Sequence, residues 1–231
     1  MSSHGIKDVT FALLDDEGKL LKGEDGLSTT GIYLADNPGE GFTAVNFTGL
    51  ETEGTPQFAN DKIKRTSYGQ PEPKVALTAL DLDPHVHFKL IGYVSDGKGG
   101  YIRHLPKPHV AMLVHSRSLD NTIDIYEGVA NCEIVEEASN HSTDNTNETD
   151  ADTTLSATIL TPRDKNVFVD PKDPDTQAVY KYWLSTDTGF DLAAIYKEVF
   201  GGYSAVNNGP TPASPTNNNS GANGSVLNGS K

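Results

Sequence analysis

The sequence predicts a mainly β (α+β) fold: antiparallel strands with two short helices. Three observations carry this. Apolar residues alternate with polar ones in short runs separated by Gly, Pro, Asn and Asp, the pattern of strands and turns. Only the segment around Leu192–Phe200 carries a full helical stripe. The block Pro73–Ser116 reads strand, capped helix, glycine turn, strand.

Taken in order, Val9–Leu14 (VTFALL) and Lys19–Lys22 flank Asp15-Asp16-Glu17-Gly18, which predicts a hairpin. Gly23–Gly31 reads as loop, Ile32–Leu34 as a short strand, Asn37-Pro38-Gly39 as a turn, and Phe42–Leu50 as a strand. Glu51–Glu72 shows no period. It holds isolated Phe58, Ile63 and Tyr68 and the local basic cluster Lys62, Lys64 and Arg65. A loop that long is uncommon unless functional, and exposed large apolar groups suggest docking on something outside the domain.

Lys74–Leu82 (KVALTALDL) is expected to be a strand with little exposure on either face. Asp83 then caps a helix with Pro84 in its first position and Val86, Leu90 and Ile91 on its apolar stripe, Tyr93 and Val94 following behind. Ser95–Gly100 is a tight turn, and His109–His115 (HVAMLVH) the next strand. Asn121–Ile134 alternates again, with a bulge expected at Gly128. Glu136–Thr153 reads as an acidic exposed loop and Thr154–Leu160 as a one-sided strand; Val167–Val169 and Val179–Leu184 are short apolar segments. In the second helix, capped by Thr188, the residues Leu192, Ile195, Tyr196, Val199 and Phe200 fall at i, i+3, i+4, i+7 and i+8, and Gly201-Gly202 ends it. The organisation expected is one domain over 1–203, followed by an Asn/Gly/Ser/Pro-rich tail over 204–231 that has too little apolar surface to order itself.

The 231 residues include 18 basic and 32 acidic side chains, a net charge of −14. That surface repels nucleic-acid phosphates and anionic lipid. No apolar run approaches the roughly 20 residues of a membrane span, and no secretory signal opens the chain. A single cysteine, Cys132, excludes an internal disulfide and reads as a small packed hydrophobe.

Candidate chemistry fails on spacing. His85 and His87 are two apart on a helix and diverge, whereas His109 and His115 on one strand lie about 20 Å apart. Three or four convergent ligands are needed for zinc, so the histidines are expected at the surface or packed. Asp144–Asp152 lacks the glycine and terminal glutamate of a calcium loop. Ser95–Gly100 has glycines without phosphate-loop order. No nucleophile–base–oxyanion set emerges, so the chain is expected to be neither an enzyme nor a holder of a cofactor or metal.

Four segments resemble, in order, major tail proteins of long non-contractile-tailed phages of Gram-positive bacteria. They are Gly5–Ala12 (GIKDVTFA) with the hairpin Leu14–Leu20, Leu90–Tyr101 (LIGYVSDGKGGY), Lys107–Ala111 (KPHVA) and Tyr196–Tyr203 (YKEVFGGY). The resemblance implies an antiparallel β-sandwich or half-barrel tail-tube fold with a flanking helix. It implies hexameric rings stacked into a virion tube, assembled in the host bacterial cytoplasm. The tube would surround the tape measure protein, meet tail terminator and distal tail or baseplate proteins, and pass viral DNA without specific binding. No membrane partner is implied. On this reading Phe58, Lys62, Ile63, Lys64, Arg65 and Tyr68 form an inter-ring stacking loop, and an arm over Met1–Lys7 reaches a neighbour. The alternative is a carbohydrate-binding or adhesion β-sandwich on a virion. It would need an exposed aromatic platform, and the one tryptophan, Trp183, lies in an expected core segment.

Overall fold

The computed structural model describes residues 3–139 and 152–204. Most of the acidic 136–153 stretch and nearly all of the expected 204–231 tail therefore lie outside the described residues.

One large antiparallel sheet organises the chain. Its strands are β1 (Ser3–Leu14), β2 (Ile32–Leu34), β3 (Gly41–Thr48), β6 (Lys74–Asp81), β9 (His109–Ser118), β10 (Asp124–Val135), β11 (Thr153–Ile159) and β14 (Lys181–Leu184). Their order is β2-β1-β9-β10-β11-β6-β3, with β14 also pairing β10. Three two-stranded ribbons stand apart: β4 (Thr55–Ala59) with β5 (Lys62–Ser67), β7 (Tyr93–Ser95) with β8 (Tyr101–Arg103), and β12 (Val169–Asp170) with β13 (Asp173–Gln177). The helices are α1 (Pro84–Leu90) and α2 (Leu192–Val199).

The sheet curls without closing. The Phe11 ring on β1 lies 5.7 Å from the Phe42 ring on edge strand β3, although β1 and β3 share no ladder. Inside the curl, alternate residues of the strands (Val9, Phe11, Val75, Leu77, Met112, Ile134, Leu155) pack with Val86, Leu90 and Ile91 of the α1 region. On the outer face, Leu14, Ala111, Leu113 and Ala130 pack under Ile195, Tyr196, Val199 and Phe200. Leu192 packs half-buried at the margin of that second cluster. The apolar residues expected on the two helices thus serve opposite faces of one sheet. At about 25 cal/mol per Å² of apolar surface, burial of this kind is what overcomes chain entropy.

Local chemistry accounts for the helix ends. The Asp83 carboxylate accepts from the N–H groups of His85 (2.8 Å) and Val86 (3.1 Å), and Pro84 occupies the first turn, where an N–H would have no partner. Gly92 ends α1 at φ +77°, beneath the Pro108 ring. Beyond it the expected helical continuation fails, because Tyr93 and Val94 enter β7. In α2 the cap is Asp191, accepting from the N–H of Ala193 at 2.9 Å, and not Thr188; the aspartate sits one residue before the first helical turn, where its oxygen reaches the free N–H groups.

Three further expectations change. Lys74–Leu82 is buried on one face only, with Lys74, Ala76 and Leu80 exposed. Lys19–Lys22 returns through a single bridge, Leu14 to Leu20, instead of a strand. Gly128 stays in regular register, and the bulge falls between Val129 and Cys132. A Cβ at Gly128 would lie 2.6 Å from the Trp183 ring, so this glycine is there for close approach. The chain from Ser3 pairs with β9 of its own sheet, through register shifts near Ile6. Cys132 is fully buried, as read.

Candidate functional site

Residues 51–72 are not a structureless loop. Thr55–Ala59 and Lys62–Ser67 form a hairpin closed by Asn60 and Asp61, at φ +52° and +56°. Two successive left-handed residues make the turn whose twist matches antiparallel strands, and Asn and Asp tolerate that conformation. The Asn60-Asp61 pair was the signal in the sequence that could have revealed the turn. At the base, Thr52 Oγ1 donates to the Gly69 carbonyl at 2.8 Å.

Every residue of β4 and β5 is exposed, on both faces. The hairpin sorts the expected docking residues. Alternation along β4 puts Pro56 and Phe58 on one side, with their partners Thr66 and Ile63, and Gln57 and Ala59 on the other, with Arg65 and Lys62; Lys64 is the unpaired residue of the register shift. A register shift after Gln57 brings Phe58 directly opposite Ile63, and Arg65 Nε donates to Gln57 Oε1. Direct cross-strand partners share a face, so Phe58 and Ile63 form one apolar pair, while Gln57, one residue earlier on β4, turns to the other face together with its partner Arg65. Phe58 is 69 % exposed and Ile63 60 %. Tyr68 follows on the Thr66 side, which is also that of Phe58, its ring beside Gly54. A lone two-stranded ribbon is at best marginally stable in water, and this one is covered by no other part of the described chain.

Two strand edges are also open. Among the described residues, β3 pairs only with β6, and β1 meets β2 only over Thr10–Ala12, leaving the outer edge of its first half unpaired. Open edges invite pairing with another chain. Among the described residues, no helix covers the outer face of β3, β6 and β11, whose exposed side chains are Asn46, Thr48, Lys74, Ala76, Leu80, Thr154 and Thr158, mostly small and uncharged.

The histidines are held by polar partners. His85 Nδ1 meets the Tyr101 hydroxyl at 2.7 Å, His87 Nε2 the Glu136 carboxylate at 3.0 Å, and His109 Nδ1 the Asn131 Oδ1 at 3.1 Å. His115 sits between Asp8 (2.9 Å) and Asp124 (3.1 Å), stacked on Tyr126. Burial lowers its pKa, but the two carboxylates outweigh burial and hold it above the ordinary histidine value. The Arg117 guanidinium, at 2.7 Å, keeps the Asp124 carboxyl below its usual range. Among the described residues, no three His, Cys, Asp or Glu side chains converge as metal ligands.

Open edges and an uncovered hairpin are features that invite pairing with other chains. The chain belongs to the phage tail tube protein family, whose model matches residues 1–208. No curated protein matches it. The family is structural and not enzymatic; it places the protein in the virion, as part of a multi-subunit tube built with other tail proteins. Among the described residues, no helix is long and apolar enough to cross a membrane.

Proposed function

We propose that six copies close a ring through their open strand edges, and that rings stack into the tail tube through the β4–β5 hairpin. A cyclic ring satisfies edge hydrogen-bonding groups that would otherwise promote open-ended aggregation. The tube surrounds the tape measure protein, ends at tail terminator and distal tail or baseplate proteins, and later passes the genome. Assembly takes place in the bacterial cytoplasm.

The uncovered face of β3, β6 and β11 lines the channel in this reading. Hydroxyl, amide and methyl groups offer phosphates few counter-charges, so DNA slides without being held. The observation that carries the proposal is the hairpin, two strands exposed on both faces with an apolar pair at the centre of one of them. Deleting Gly54–Gly69 tests it. The expected result is a protein with unchanged thermal unfolding that forms no tubes in negative-stain micrographs. Normal tubes from this variant would rule out the stacking role.

A further inference from the structure

The opposite end of the subunit carries a groove that fits this hairpin. β1, β6 and β10 run one way in the sheet, and β3, β9 and β11 the other. The hairpin leaves from the end marked by Thr48 and Lys74. The groove lies beyond the far ends of the same set of strands, near Leu13 at the end of β1 and next to α1, which follows β6. The eight residues of β6 alone separate the two ends by about 25 Å.

The groove holds about 460 Å³, within the range that accepts a few large side chains. Its floor and one wall come from Leu13, Tyr93, Tyr101 and Pro108. The Phe88 ring stacks on Tyr101 at 4.4 Å and fixes that wall. Beside it Val94 and Ile102 face each other across β7–β8, both more than half exposed, as is nearby Leu105. The opposite rim carries Glu24 and Asp25. Lys89 holds that rim in place by donating to the carbonyls of Glu24 (2.8 Å) and Gly26 (2.7 Å). Its ammonium is spent on backbone, and neither rim carboxylate makes an ion pair among the described residues.

We infer that the β4–β5 hairpin of one copy seats in this groove of a copy in the next ring, with Phe58 and Ile63 against the apolar wall and Arg65 meeting Glu24 and Asp25. This rests on the stacked-ring reading above and names its receptor. The two surfaces match in kind: a ribbon with an apolar pair on one face and a guanidinium on the other, and a trough with an apolar wall on one side and two carboxylates on the opposite rim. Arg65 uses only Nε on Gln57, so its outer nitrogens remain for bidentate pairing. Because the hairpin and groove lie at opposite ends of one chain, the contact is head-to-tail and propagates without closing, as a stack requires.

Charge exchange and cross-linking test it in the full chain. Arg65→Glu should raise the critical concentration for polymerisation about tenfold or more. Asp25→Arg with Glu24→Gln should do the same, and the combined variant should recover tubes. The double variant Ile63→Cys, Val94→Cys, treated with a bis-maleimide, should give a ladder of covalent oligomers on denaturing gels. Buried Cys132 supplies little background. The ladder should persist after truncation at Ser204. Its loss on that truncation would assign the groove to the C-terminal segment and overturn the inference. Tubes that form without any ladder would overturn the groove assignment alone, whereas wild-type protein that never forms tubes would overturn the stacked-ring reading.

Discussion

Two hairpins in this chain share a secondary structure and almost nothing else. β9–β10 runs through the centre of the sheet and is buried on both faces: Val110, Met112 and Val114 point into the curl, and Ala111 and Leu113 lie under α2. β4–β5 is exposed on both faces, yet it carries a phenylalanine opposite an isoleucine. The first is paid for by the chain's own core. The second has no such support, so its apolar pair makes sense only as half of a contact with another molecule. If the hairpin stacks rings as proposed, burial separates what folds the subunit from what assembles it.

The largest expected effect tests that separation directly. Leu113→Ala, in the central hairpin, should cost about 2–5 kcal/mol of stability by emptying a packed site. Phe58→Ala with Ile63→Ala should change stability by no more than about 0.5 kcal/mol, as surface changes do, while strongly reducing tube formation. Chemical denaturation and sedimentation of the same preparations measure both. A large loss of stability in the Phe58/Ile63 variant would show that the hairpin is part of the fold and erase the contrast.

What the sequence made legible follows the same division. Strands with a one-sided pattern, such as β11, and helices with a periodic stripe, such as α2, were readable because the chain's own core imposes the period. Residues 51–72 read as formless because nothing within the subunit imposes a period there, so the six residues proposed to dock were visible but their sorting onto two faces was not. That sorting depends on the Asn60-Asp61 turn and on a register shift at Gln57, and a register shift leaves no compositional mark. Gly128 was noticed for the wrong reason: its missing side chain makes room for Trp183, a contact between strands far apart in sequence. The groove was hidden for a similar cause, being assembled from residues 13, 24–25, 85–95 and 101–108.

Gly128 also gives an effect of intermediate size on the folding side of the comparison. A methyl group there meets Trp183 at 2.6 Å and a Val199 methyl at 3.0 Å. Gly128→Ala should therefore displace β14 or α2 and cost about 1–3 kcal/mol, as overpacking does, read as a lower unfolding temperature with a shifted tryptophan emission. Unchanged fluorescence and stability would mean that the outer layer gives way more easily than the central hairpin beneath it.

The smallest effect belongs to His115, where the central hairpin meets the first strand. The imidazole faces Asp8 from β1 and Asp124 from β10, with Arg117 on its own strand, Tyr126 stacked against it, and the hydroxyls of Tyr196 and Thr10 bonded to each other nearby. A histidine whose folded pKa is raised adds stability that is fully present below its unfolded value, near 6.5, and is lost as pH rises through the folded value. Asp124, with its pKa lowered, adds stability that is lost only as pH falls below the ordinary carboxylate range, near 3.8. Between those limits both contributions hold, so the unfolding temperature should decline modestly as pH climbs from about 6 to 8. His115→Gln should flatten that decline and leave tube formation intact at pH 8, because the imidazole braces β1 within the subunit and lies outside both hairpin and groove. If the variant instead lost tubes at every pH while keeping its unfolding temperature, the brace would belong to assembly, and the division between the two hairpins would have to be redrawn through β1.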